Sequence, residues 1–235
     1  SHPTLAVDNA GVIYAAWEDF RRDNSDIFLA KSADGGKSFS SNRRVNDDSG
    51  GAPQISPSLA VGPSGEVYLA WGDFRNSSVT LSPPHSAAGE EQRWEDSRTG
   101  NADIYFSKSS NGTEFSANVR LNDDAGDAAQ AFPSLSVNAK GVMAVAWEDF
   151  RRGDPDIYMA KSQDGGRSFA ANRRVNDDAG AMEQYHPSLT LDSSGTAHVI
   201  WTDSRNNRFA SRGAGHDDEG DDVFFAKESS ALAQK

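Results

Sequence analysis

The sequence predicts an all-β propeller of four blades, each of four antiparallel strands, and three observations predict it. Two unrelated marker residues, a proline and a tryptophan, recur four times in one register. The strands between them read as nearly continuous apolar runs. The joining segments are short and rich in Gly, Asp and Asn, the residues of tight turns.

The repeat comes first, because a fixed period decides the architecture. His2-Pro3-Thr4-Leu5, Ser56-Pro57-Ser58-Leu59, Phe132-Pro133-Ser134-Leu135 and His186-Pro187-Ser188-Leu189 align directly. Their prolines stand 54, 76 and 54 residues apart, and Trp17, Trp71, Trp147 and Trp201 repeat those spacings. The repeats run approximately over 1–54, 55–130, 131–184 and 185–235, within one domain. In each, the proline run is the first strand. A turn such as Asp8-Asn9-Ala10-Gly11 leads to a second strand ending near the tryptophan. The third strand starts at Asp26, Asp103, Asp156 and Asp222, and the fourth lies near Arg43–Asn46, Val119–Asn122 and Arg173–Asn176. The continuous apolar character of the second and third strands implies burial on both faces, as in a blade between two neighbours.

The last repeat ends after its third strand, so the last blade is expected to be three-stranded. A four-bladed ring is the favoured closure. A segment of a longer propeller and an edge completed by a second chain, a self-association, compete with it. Gln54, Gln130 and Gln184 each precede a repeat proline by three residues, and that position falls just before Ser1, which suggests a trimmed start.

Between third and fourth strands stand Ser32-Ala33-Asp34-Gly35-Gly36-Lys37-Ser38-Phe39 and Ser162-Gln163-Asp164-Gly165-Gly166-Arg167-Ser168-Phe169. These resemble the Asp box of the sialidase-like (BNR-repeat) propellers. Ser109-Ser110-Asn111-Gly112-Thr113-Glu114-Phe115 is a shortened variant with Asn for Asp. The resemblance implies that the box is a structural hairpin, on the face opposite the ligand site. It also implies an extracellular or cell-surface location.

Composition sets limits. The net charge is −12, a field that repels phosphate backbones, so nucleic-acid binding is not expected. No run approaches the roughly 18 apolar residues of a membrane span, and no signal segment opens the chain. There is no cysteine and no His pair at zinc-ligand spacing.

Function is sought in the loops after the second strands. They carry Trp17-Glu18-Asp19-Phe20-Arg21, Trp71-Gly72-Asp73-Phe74-Arg75, Trp147-Glu148-Asp149-Phe150-Arg151 and Trp201-Thr202-Asp203-Ser204-Arg205. The candidate ligand-binding set is therefore Arg21, Arg75, Arg151, Arg205, Asp19, Asp73, Asp149 and Asp203, a carboxylate- or glycan-binding mouth, since guanidinium forks match carboxylates bidentately. The same residues also fit a bland role, Asp–Arg bridges tying blades together, and their identity in every blade favours that role. Symmetry breaks in two insertions. Residues 76–102 hold a second Trp94-Glu95-Asp96-Ser97-Arg98, which adds Trp94 and Arg98 to the ligand candidates. Residues 206–221 hold Asp217, Asp218, Glu219 and Asp221, candidate Ca²⁺ ligands without EF-hand spacing, for which a solvated acidic loop is the plainer account. The Asn46-Asp47-Asp48, Asn122-Asp123-Asp124 and Asn176-Asp177-Asp178 runs read as turns.

The resemblance implies that catalysis of the sialidase type would need three arginines, a Tyr–Glu nucleophile pair, an acid/base Asp and a Phe/Tyr-Arg-Ile-Pro segment. That segment is absent, and only Tyr185, read as a loop residue near Glu183, is a tempting nucleophile. No catalytic residue is assigned. The expectation is a non-catalytic binding or scaffold module for a glycan or protein. The alternative is a sialidase-type exo-glycoside hydrolase.

Overall fold

A computed structural model describes residues 2–21, 24–77, 101–180, 182–206 and 221–228. These residues form four antiparallel sheets, and no helix occurs among them. Blade 1 holds β1 (Thr4–Val7), β2 (Ile13–Asp19), β3 (Asp26–Ser32) and β4 (Arg43–Arg44). Blade 2 holds β5 (Gln54–Val61), β6 (Val67–Asp73), β7 (Asp103–Ser109) and β8 (Val119–Arg120). Blade 3 holds β9 (Gln130–Val137), β10 (Met143–Arg152), β11 (Asp154–Ser162) and β12 (Arg173–Arg174). Blade 4 has three strands, β13 (Gln184–Leu191), β14 (Ala197–Asp203) and β15 (Asp222–Lys227).

The apolar runs do what double-sided burial requires. All seven residues of β6 are buried, with Val67, Leu69 and Trp71 facing blade 1 and Tyr68 and Ala70 facing blade 3. The inner strand of each blade packs on the blade before it: β5 on blade 1, β9 on blade 2 and β13 on blade 3. Each seam is a separate apolar core, so stability accrues seam by seam.

Three expectations change. The fourth strands pair over two residues only: Val45, Leu121 and Val175 still donate to the carbonyls of Ile27, Ile104 and Ile157, but the N–H groups of those isoleucines go to the side chains of Asn46, Asn122 and Asn176, which ends the ladder. Tyr185 is not in a loop but in β13, opposite Thr202, and is 8% exposed. Closure into a four-bladed ring is not observed: among the described residues blade 4 makes no contact with blade 1 comparable to the other seams. The four sheets form an open arc, and its two end faces leave large apolar side chains in solvent.

The inner strands share one irregularity. In β5, β9 and β13 the ladder skips two residues at the proline, a bulge that accommodates a residue with no N–H to donate. The residue before each proline takes a left-handed backbone: φ is 45° at His2, 51° at Ser56, 50° at Phe132 and 50° at His186.

Candidate functional site

Register fixes which end of the arc carries which motif. Gln54 pairs with Asp73, so inner strands begin where second strands end, beside the Trp-x-Asp-x-Arg segments. Ser32 pairs with Ile13, so the hairpins of residues 32–39, 109–115 and 162–169 lie at the opposite end. There Asp34 accepts bonds from the Ser38 N–H and hydroxyl, and Asp164 does the same for Ser168. The Ser38 hydroxyl and backbone N–H lower the Asp34 pKa to about 2. Their roles are those of hairpin staples.

At the other end, His2, Ser56, Phe132 and His186, each followed by its proline, line one cleft of about 320 Å³ between the four inner strands. Left-handed backbone at non-glycine residues costs about 1–3 kcal/mol each and concentrates at functional sites. Here it turns four side chains into one space. The positions are equivalent, yet the residues differ: two imidazoles, one hydroxyl and one phenyl ring. The Phe132 and His186 rings meet edge to face at 5.5 Å.

Two buried carboxylates brace this backbone. Glu18, 4% exposed, accepts the Ser56 N–H at 2.6 Å and contacts His2 Nδ1 at 2.8 Å. Glu148, 2% exposed, accepts the His186 N–H at 2.7 Å. Gly72 and Thr202 hold the corresponding places in blades 2 and 4, so the bracing alternates around the arc. A roomier groove, about 570 Å³, lies between the hairpins of blades 2 and 3. Lys108, Lys140 and Arg167 alternate there with Glu66, Glu114 and Asp164, with no convergence of several blades.

The Asp–Arg candidates form cages. Asp73 accepts Trp71 Nε1 at 2.8 Å and grips Arg75 through its backbone N–H, Nε and terminal nitrogen. Arg75 also donates to Asp47 on the crossing from blade 1 and to Asn118, and its guanidinium lies 4.2 Å over the Tyr105 ring. Arg151 repeats this with Asp149, Asp123, Asn172 and Tyr158. Arg205 does so with Asp203, Asp177 and Phe224. Burial works to lower the Arg75 and Arg151 pKa values, but the surrounding aspartates hold both above the ordinary arginine value. Arg21 pairs with Asp19 and stacks 4.6 Å over Phe28, but its side chain is 49% exposed against 19% for Arg75. The Arg21 side chain pulls the Asp19 pKa down to about 2.

Beneath each cage lies the amide of an Asn-Asp-Asp run, which is not a simple turn. Asn46 Nδ2 stands 2.7 Å from three acceptors, on Asp26, Asp48 and Gln54, while its Oδ1 accepts the Ile27 N–H. Asn122 and Asn176 repeat the arrangement in the next two seams.

Trp94, Arg98, Asp217, Asp218 and Glu219 lie outside the described residues. Asp221 is half-buried ahead of β15. Among the described residues no group of three His, Asp or Glu side chains is arranged to hold a metal ion. No helix among them is long and apolar enough to cross a membrane.

No family model matches the sequence, and no curated protein matches it. Solved structures do resemble the fold. An α-L-arabinanase of Penicillium chrysogenum, complexed with arabinobiose, is 14% identical with a TM-score of 0.55, over 86% of this chain and 60% of that one. A Hadza microbial sialidase is 13% identical with a TM-score of 0.60, over 96% and 44%. A polysaccharide lyase, an ulvan lyase bound to a sulfated disaccharide repeat, is 13% identical with a TM-score of 0.58, over 97% and 55%. The chain thus spans about half to three-fifths of these proteins' lengths, and the likeness is one of fold.

Proposed function

We propose that this chain is a non-catalytic carbohydrate-binding propeller segment whose ligand sits in the cleft between the inner strands. The observation that carries this reading is the convergence there of His2, Ser56, Phe132 and His186. Phe132 offers an apolar ring to a sugar's C–H face, and the imidazoles and the hydroxyl offer hydrogen bonds to its hydroxyls. Prearranged backbone strain suits binding, because the side chains need no ordering when ligand arrives. One neighbour holds arabinobiose and another a uronate-containing sulfated repeat, so the fold alone does not choose among saccharides. Arg21, half-exposed beside this end, supplies a cation for an acidic sugar. Against catalysis stand the burial of Tyr185 and the engagement of Glu18 and Glu148 with backbone N–H groups.

Calorimetric titration with arabino-oligosaccharides, sialosides and uronic-acid oligosaccharides tests the reading. One class should bind, and Phe132→Ala or His186→Ala should weaken it about tenfold, near 1.4 kcal/mol. Binding that both variants leave unchanged would remove the cleft from consideration. The hydrolase reading draws on the glycosidase neighbours. Turnover of a fluorogenic sialoside or arabinofuranoside, lost in Tyr185→Phe, would establish it in place of ours.

A further inference from the structure

Each covered seam joins two unlike half-surfaces. Between blades 2 and 3, Ala70, Ile104 and Phe106 form the receiving half, and Leu135, Val137 and Trp147 form the inserting half. The arc leaves one copy of each half bare. Blade 4 exposes Ile200, Val223 and Phe225, at 44%, 73% and 60%, which match Ala70, Ile104 and Phe106 by strand register. Blade 1 exposes Leu5 and Val7, at 63% and 54%, which match Leu135 and Val137.

The polar fittings of a seam are also present in halves. Lys31 Nζ donates to the Asn111 carbonyl of the next blade's hairpin at 2.8 Å, and Lys108 Nζ to the Gly165 carbonyl at 2.7 Å. Lys227 holds the equivalent place on blade 4, and Gly35 offers the equivalent carbonyl on blade 1. Hairpin glycines seat against the preceding blade's rings: a Cβ on Gly112 would stand 2.9 Å from Tyr14, and one on Gly166 would stand 2.7 Å from Phe106. The counterpart Gly36 meets only its own blade's Ile13, at 3.7 Å. Ser58 and Ser134 hydroxyls accept the N–H groups of Leu135 and Leu189 across their seams, and Ser188 stands ready for Leu5 in the same way.

We propose that a second copy of this chain covers these faces head to tail. Blade 1 of one copy docks on blade 4 of the next, in the register that blade 3 uses on blade 2. The two halves complement each other and not themselves, so the contact is heterologous rather than two-fold. Apolar faces of this kind mark interaction surfaces in soluble proteins. The contact does not depend on what the cleft binds.

Light scattering behind size exclusion tests it on the intact chain over a range of concentrations. The expected mass is a whole multiple, two or more, of 25.2 kDa. Phe225→Asp and Leu5→Asp should each reduce it to 25.2 kDa. An equimolar mixture of the two variants should recover a dimer, because one retains an intact blade 1 face and the other an intact blade 4 face. Val223→Lys serves in place of Phe225→Asp should that variant lose its circular dichroism. A single-chain mass for the unaltered protein at every concentration would overturn the proposal. So would variants that still assemble, or a mixture that stays monomeric.

Discussion

Blades 1 and 2 carry the same Trp-x-Asp-Phe-Arg segment in very different surroundings. Trp71 is fully buried and Arg75 is held by Asp73, Asp47, Asn118 and the Tyr105 ring. Trp17 is half-buried, and Arg21 pairs with Asp19 over Phe28. The segment itself therefore does not make the cage. The crossing strand from the preceding blade makes it, by laying Asp47 against Arg75 and Asn118. A blade in this fold completes its predecessor and is completed by it.

Substitutions at paired positions measure that difference. The largest effect is expected for Trp71→Ala, about 3–5 kcal/mol from lost burial and the cavity left behind. At concentrations where the chain is single, Trp17→Ala should cost distinctly less in the same urea titration, and equal costs there would mean that the open face is covered by other means. Arg75→Ala comes next. It strands the buried Asp73 carboxylate and should cost about 3 kcal/mol, whereas Arg21→Ala should leave the unfolding midpoint nearly unmoved. Gly166→Ala drives a methyl group against Phe106 as well as straining a left-handed backbone, φ 71°, and should lower the melting temperature more than Gly36→Ala. At concentrations where chains join head to tail, the Gly36 variant should lose that advantage.

The smallest effect is a pH dependence. The Arg21 side chain holds Asp19 near a pKa of about 2 in the folded chain, below the ordinary 3.8. The stabilisation is present above the ordinary carboxylate range and disappears as pH falls from about 4 through about 2. Carboxyl-carbon NMR should find Asp19 titrating there, and Arg21→Gln should return it towards its ordinary value. A normal titration in the unaltered protein would show the pair open in solution.

The proline and tryptophan registers made the four sheets legible, because one residue must bend each inner strand and another must fill each seam. The continuous apolar runs located β6 and β10 for the same reason. Hairpin roles were legible from Ser32, Asp34 and Ser38 alone. The cleft was less so. Left-handed φ at Ser56 and His186 depends on the bulge and on Glu18 and Glu148 reaching from the preceding blade, which no local pattern encodes. One signal was available: the residue before the proline is His, Ser, Phe and His across the four repeats, while the proline and the leucine two residues beyond it never change. Tyr185 was misplaced because a strand that begins at Gln184, upstream of a proline, looks like loop in sequence. Closure is not legible in the sequence, because only exposure at Val7 and Phe225 shows which faces have no neighbouring blade among the described residues.

The three amides of Asn46, Asn122 and Asn176 give the seams a chemical vulnerability. Each has two hydrogens to offer and three oxygens around it, two of them from carboxyl groups. Hydrolysis of one such amide, the ordinary course of protein ageing, would exchange a donor for an acid. It would set a third negative charge beside Asp26 and Asp48, with Arg44 left to hold the cluster from its rim. Deamidation there would unzip a junction from within, with the apolar core around it still intact.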